Sequence, residues 1–181
     1  LRLHYVEVRE PDMHDPSGDL RRLRDALSRE WQLTDLGIDL ATLRALQTTL
    51  RAGQWKVTVA VHGGRQIVGI WPGFHERALG MAVDIGSTTI AAHLCDLGTG
   101  EVLASAGMMN PQIRFGEDLM SRVSYAMMNP GGAEQMTTAV REALSALAAE
   151  VAHEAGTTAE NILELTLVGN PIMHHLVLGL N

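Results

Sequence analysis

The 181-residue sequence contains a single cysteine, Cys95. A disulfide within the chain is therefore excluded, as is any four-cysteine site, whether for a structural metal or for an iron–sulfur cluster. This scarcity fits a cytoplasmic setting. Positive charge is scarce too: 14 Lys and Arg face 21 Asp and Glu, for a formal net charge of −7. The arginines are scattered or sit beside acids, as Arg21, Arg22 and Arg24 do near Asp19 and Asp25. No basic stripe is available to follow a phosphate backbone, which argues against nucleic acid as a partner. No apolar run reaches the ~20 residues that cross a bilayer, so no membrane is expected, and no signal-peptide pattern is visible. An initiator methionine is also missing: the chain starts at Leu1 and stops at Asn181, directly after an apolar run. Both ends are expected to be cuts in a longer chain. There are no internal repeats and no low-complexity tracts.

What is present is the composition of a folded protein, 46% hydrophobic and 19% charged, in a length that suits one ordinary domain or two small ones. Residues 3–8 alternate loosely and predict a strand. A helix is expected to begin near Asp15 or Ser17, with Leu20, Leu23, Leu27 and Trp31 on one face. Asp39 should cap a second helix with a Leu40, Leu43, Leu46 and Leu50 stripe, and Gly53 should stop it. Residues 55–61 and 66–71 predict strands joined by a hairpin at 62–65. Residues 1–77 thus form a small α+β unit. The pattern then changes. Strands are predicted over 79–85, 89–96 and 101–108, and the turns between them are short enough to join only antiparallel neighbours. Helices follow over about 117–128 and 133–155, broken by Asn129-Pro130-Gly131-Gly132. A strand at 163–168, expected to be buried, leads to a last helix with Pro171 in its first turn. The order is βββ, α, α, β, α.

The densest chemical signal is Asp84-Ile85-Gly86-Ser87-Thr88-Thr89. An acid near the end of a strand is followed by a glycine turn and three hydroxyl residues. Gly86 lets backbone N–H groups approach phosphate oxygens with no Cβ in the way. Ser87 and Thr88 add hydroxyl donors. Asp84, acceptor-only, suits a hydrated Mg²⁺ beside those oxygens. A P-loop is excluded, because Gly-Lys-Ser/Thr is missing and a strand follows instead of a helix. An Asp-x-Gly turn alone reads more readily as a plain hairpin. The long second strand, the Asp96–Gly100 turn and the third strand in order favour phosphate binding.

The run GMAVDIGSTTIAAHLCDLGTGEVL resembles the first phosphate motif of the superfamily that holds actin, heat-shock chaperones and sugar kinases. Two further runs narrow the resemblance: Asn110-Pro111-Gln112-Ile113-Arg114-Phe115-Gly116-Glu117-Asp118 with Ser121-Arg122, and VGNPIMHHLVLGL at 168–180. Together they resemble the reductive activators of corrinoid proteins, ATP-dependent iron–sulfur proteins that return inactive Co(II) corrinoids to Co(I). The resemblance implies a fold: a small α+β middle domain over 1–77, then the first, incomplete part of an actin-like (ribonuclease H-like) ATPase domain over 78–181. It implies ATP and Mg as cofactors, with Asp84, Gly86, Ser87, Thr88 and Thr89 in the phosphate and Mg²⁺ turn. Gly169 and Asn170 would face the nucleotide cleft. It implies a 2Fe–2S cluster in an N-terminal domain outside these residues, and a second phosphate loop and an adenosine loop beyond Asn181. The implied partner is a corrinoid protein or cobalamin-dependent methyltransferase, and a homodimer is compatible with it.

Other residues read more plainly. His174 and His175 are adjacent, so on a helix they diverge by about 100° and cannot chelate one metal; they are expected to pack. The pairs Met108-Met109 and Met127-Met128 are expected to fill core. Asn110 opens a turn after the third strand, and the resemblance adds a cleft or partner contact as an alternative. Cys95 is expected to be buried without redox use. Glu117 and Asp118 are expected to meet a helix start. Trp31, Trp55 and Trp71 are expected to pack in a core or between domains. Two further functions stand beside the activator. One is a small-molecule kinase of the same superfamily, for which no catalytic acid can be placed here. The other is a non-catalytic interaction fragment. An activator of 2-hydroxyacyl-CoA dehydratases would carry cluster cysteines in its ATPase domain, and Cys95 is alone.

Overall fold

The computed structural model describes residues 1–180 and divides into two units, Leu1–Ala78 and the residues from Leu79 onward. The first unit is a four-stranded sheet in the order β1-β3-β4-β2 with two helices. Its elements are β1 (Arg2–Glu7), α1 (Asp19–Trp31), β2 (Gly37–Ile38), α2 (Leu40–Ala52), β3 (Lys56–His62) and β4 (Gln66–Pro72). β1 and β4 flank β3 antiparallel, whereas β2 joins β4 in parallel. Val57, Val59 and Val61 alternate along β3 toward a core completed by Val6, Leu23, Leu27, Leu46, Leu50 and Ile67. β2, too short to leave a periodic signal, went unread in the sequence.

Three expectations for this unit change. α1 begins at Asp19 after an N-cap at Gly18, later than predicted. The polar residues that resembled a cap are already engaged. The Asp15 side chain accepts the Ser17 N–H, and a carboxylate oxygen of Asp15 lies 2.8 Å from the buried guanidinium of Arg22, which also bonds the carbonyls of Glu10, Asp15 and Ser17. In α2, Asp39 caps as expected, accepting from the Thr42 N–H at 2.8 Å, but Leu40 and Leu43 are exposed and Thr42, Leu46 and Leu50 are buried. The packed face is rotated from the leucine stripe. Trp31 is also partly exposed, set edge-on to His4, with its Nε1 donating to the Tyr5 carbonyl.

The second unit has a four-stranded mixed sheet in the order β7-β6-β5-β8. β5 (Leu79–Ile85), β6 (Thr89–Asp96) and β7 (Val102–Met109) form an antiparallel meander, and β8 (Ile162–Gly169) joins β5 in parallel. Between β7 and β8 come a 3₁₀ turn (Pro111–Phe115), α3 (Leu119–Met128) and α4 (Gly132–Glu154); α5 (Pro171–Leu178) follows β8. One sheet face carries Met81, Val83, Ile85, Ile90, Ala92 and Leu94. Met136, Val140, Leu147 and Val151 of α4 complete that core. α4 also holds α5, with Thr137 Oγ1 and Arg141 Nε donating to the carbonyls of Leu176 and Val177.

Three expectations change here as well. β8 is an edge strand with a single neighbour, so Leu165 and Val168 are about half exposed although their run reads as buried. Met127 and Met128 do not fill core: both are about four-fifths exposed at the end of α3, and Met127 lines an apolar groove of about 400 Å³ with Val123, Ile172 and Leu176. Met109 is exposed at the end of β7, and only Met108 packs against the core. Cys95 is half-buried on the sheet and donates weakly to the His93 carbonyl.

Candidate phosphate-binding hairpin

The turn between β5 and β6 occupies Gly86, Ser87 and Thr88. Register fixes its surroundings. Ile85 pairs with Ile90 on one side and with Gly169 on the other, so the ends of β5 and β8 meet beside the turn. Asp84, next to last in β5, pairs with Ala91 and Val168 and is exposed. Gly86 cannot carry a side chain in this geometry: a Cβ would stand 2.7 Å from the Thr89 carbonyl oxygen. Gly169 is similarly confined, 3.0 Å from the Ile85 carbonyl oxygen. Thr89 opens β6, and Asn170 caps α5 by accepting the Met173 N–H at 3.0 Å. All seven residues singled out in the sequence, Asp84, Gly86, Ser87, Thr88, Thr89, Gly169 and Asn170, therefore lie at one end of the sheet.

The turn is closed by the Gly86 N–H bonding to the Thr89 carbonyl at 3.0 Å. Its own carbonyls point to other partners. Gly86 O accepts Asn110 Nδ2 at 2.8 Å, Ser87 O accepts Arg122 Nη2, and Thr88 O accepts the Asn110 backbone N–H at 2.7 Å. Among the described residues, the N–H groups of Ser87 and Thr88 donate to nothing. Adjacent open backbone donors on a glycine turn form an anion-binding concavity.

Behind the turn lies a buried polar layer. Asn110 and Arg122 are 1% and 0% exposed. Asn110 Oδ1 accepts the Gln112 N–H, Arg122 Nε donates to Gly116 O at 3.0 Å, and both side chains reach the sulfur of Met173. Burial lowers the pKa of Arg122 from the usual arginine value, and the Asp118 carboxylate nearby offsets part of that. Asp118 itself caps α3, and its carboxyl is held below the usual range chiefly by the Ser121 N–H. Gln112 is fully buried, donating to Met136 O at 3.1 Å with its Oε1 unpaired. In the sequence, Gln112 and Arg122 stand only within the family run, and Asn110 reads as a turn opener with a cleft or partner contact as the alternative. An arginine at the fourth position of a helix with no other charged residue was the signal available for a buried role.

Residues 1–77 match the family described as RACo linker region, and residues 79–181 match the one described as RACo middle region. The chain belongs to the RACo family. It is 34% identical to the corrinoid activation enzyme RamQ of Eubacterium limosum over 130 residues, covering 71% of this chain and 22% of that protein. A solved structure titled reductive activator for corrinoid, iron–sulfur protein matches with a TM-score of 0.79 at 34% identity. That match covers 98% of this chain and 29% of the other. This RACo-family chain thus spans less than a third of the length of the relatives it matches. The mixed α+β architecture with two mixed sheets is that of the reductive activator. In RACo terms the first unit is a linker region and the second a middle region; the sequence reading used the names middle domain and start of an ATPase domain.

The residues present fit some of the implied cofactors and not others. The open N–H pair fits a phosphate, and a lone exposed carboxylate fits a hydrated Mg²⁺, which needs only one or two protein oxygens. No group of three His, Cys, Asp or Glu suited to a resident metal occurs among the described residues. A 2Fe–2S cluster does not fit, because the RACo chain has one cysteine. No helix among the described residues is long and apolar enough to cross a membrane.

Proposed function

We propose that this chain is part of an ATP-dependent reductive activator that returns Co(II) corrinoid proteins to Co(I), and that the hairpin at 84–89 receives the nucleotide phosphates. The observation that carries the reading is the open N–H pair of Ser87 and Thr88 on a turn whose first position only glycine fits, separated from Asp84 by Ile85 alone. The strand order β7-β6-β5-β8, with the turn at the end of a central strand, supports an actin-like ATPase half. The names of the relatives support corrinoid activation. In this reading Asp84 holds Mg²⁺ through water, while Gly86, Ser87 and Thr88 hold phosphate oxygens. Thr89, Gly169 and Asn170 shape the floor of the cleft. ATP, when bound, supplies free energy for an uphill electron transfer by favouring one domain arrangement over another. The partner is a corrinoid protein or cobalamin-dependent methyltransferase, and the setting is the cytoplasm.

The test is Asp84→Ala in the full-length protein. Calorimetry should show weakened Mg-ATP binding, and the visible absorption of the corrinoid should show that ATP no longer stimulates reduction. Unchanged affinity and unchanged stimulation in a folded variant would remove the hairpin from the site.

A further inference from the structure

Arg122 is a fully buried cation to which no carboxylate is hydrogen-bonded among the described residues; its partners are two carbonyls and a thioether. Desolvating a guanidinium without a bonded counterion is costly, so its retention needs a compensating interaction. Asn110 is equally buried, and its side chain and backbone grip the same turn. The pattern of grips is specific. A peptide unit is planar and trans, so its C=O and the following N–H point in opposite directions. Asn110 Nδ2 holds the carbonyl of the Gly86–Ser87 unit, and Arg122 holds that of the Ser87–Thr88 unit. The N–H groups of those two units are those of Ser87 and Thr88, which have no acceptor among the described residues. Pulling each carbonyl inward turns each N–H out. A cation bonded to the carbonyl also polarises its own peptide unit and strengthens the opposite donor.

We propose that Arg122 and Asn110 are the positioning residues of the phosphate turn: they grip its carbonyls from inside the fold and so aim the Ser87 and Thr88 N–H groups at a nucleotide phosphate. The inference rests on the phosphate reading of the hairpin and adds residues that do not touch the ligand. It also adds to the partial compensation Arg122 has from the nearby Asp118 carboxylate, since a bound polyanion one peptide unit away offsets a buried positive charge.

The experiment uses the full-length activator, with Mg-ATP as probe, well below each variant's melting midpoint and with circular dichroism as the check on folding. Folded Arg122→Gln and Asn110→Ala should bind Mg-ATP about tenfold or more weakly, the scale of one charge-assisted hydrogen bond. Arg122→Lys should recover part of the loss, because it keeps the charge while losing the fork. A purely structural arginine would lower the melting midpoint but leave binding by the folded protein unchanged. A second measurement needs no variant. Hydrogen exchange in the wild-type peptide covering the turn should be fast without nucleotide and slow with saturating Mg-ATP; exchange that ignores the nucleotide overturns the proposal. Variants that bind within twofold of wild type while Gly86→Val has lost binding refute the positioning role alone. If Gly86→Val also binds normally, the phosphate reading itself fails.

Discussion

Gly86 shows how one absent methyl group shapes the hairpin. A Cβ there would lie 2.7 Å from a backbone oxygen, which cannot swing aside as a side chain can. Gly86→Ala is therefore expected to shift the turn, with Mg-ATP affinity falling about tenfold or more while the core midpoint changes little. Normal affinity measured by calorimetry would contradict this. Asp84→Asn, at an exposed position, should leave the fold intact and so separate charge from structure. His4 carries a pH prediction in the first unit. Burial, helped by the nearby Arg2 charge, lowers its pKa below 6.5. The folded state then favours neutral histidine. Its contribution is present above the unfolded value, and stability falls as pH drops from about 6.5 toward the folded pKa. His4→Gln should flatten that slope in urea melts; an unchanged slope would contradict the assignment. At this scale the Asp84–Thr89 signature was legible because it is local: acid, glycine and hydroxyls are neighbours in the chain. The positioning role of Asn110 and Arg122 was not legible, because their turn partners lie 24 and 35 positions away.

Capping chemistry carried from sequence to element with little loss. Asp39, Asp118 and Asn170 each accept an N–H in the first turn of their helices; the sequence marked Asp39 as a cap and Asp118 as a helix start, whereas Asn170 was expected only to face a cleft. Asp39 makes two such bonds, to the N–H and the hydroxyl of Thr42. Asp39→Ala should therefore destabilise the first unit by about 1–2 kcal/mol, with Asp39→Ser recovering most of it. Tryptophan fluorescence in urea can check this, and a change under a few tenths of a kcal/mol would show the cap to be unimportant. Element exposure was harder to read than element existence. β8 has an apolar sequence, but its place at the sheet edge leaves half of Leu165 and Val168 uncovered. The α1 start was misread because a tertiary partner, Arg22, had claimed Asp15. Both outcomes depend on neighbours that periodicity does not reveal.

The whole molecule is organised around two cores that share no residue. One draws on Val6 through Ile67, the other on Leu79 through Val177. In the sequence the boundary near Pro72–Ala78 is marked by Pro72-Gly73 and by the run of three consecutive strands that follows it. The tryptophans make the division measurable. Trp31, Trp55 and Trp71 all belong to the first unit, so their fluorescence reports that unit, while far-ultraviolet circular dichroism reports both. Leu147→Ala removes a fully buried side chain from the second core and should cost that unit about 2–5 kcal/mol. If each unit stands on its own core, the circular-dichroism transition of the second unit should move to lower urea while the fluorescence midpoint stays fixed. Leu50→Ala, in the first core, should do the reverse. Brief trypsin treatment should also cut after the exposed Arg77 before it cuts within either sheet. Coincident midpoints in every variant, moving together whichever core is truncated, would show one cooperative body instead of two. That result would also bear on the site. A hairpin whose Mg-ATP affinity fell on truncating Leu50 would be coupled to the first unit, whereas affinity that falls only with Leu147 would confine the phosphate turn to the second.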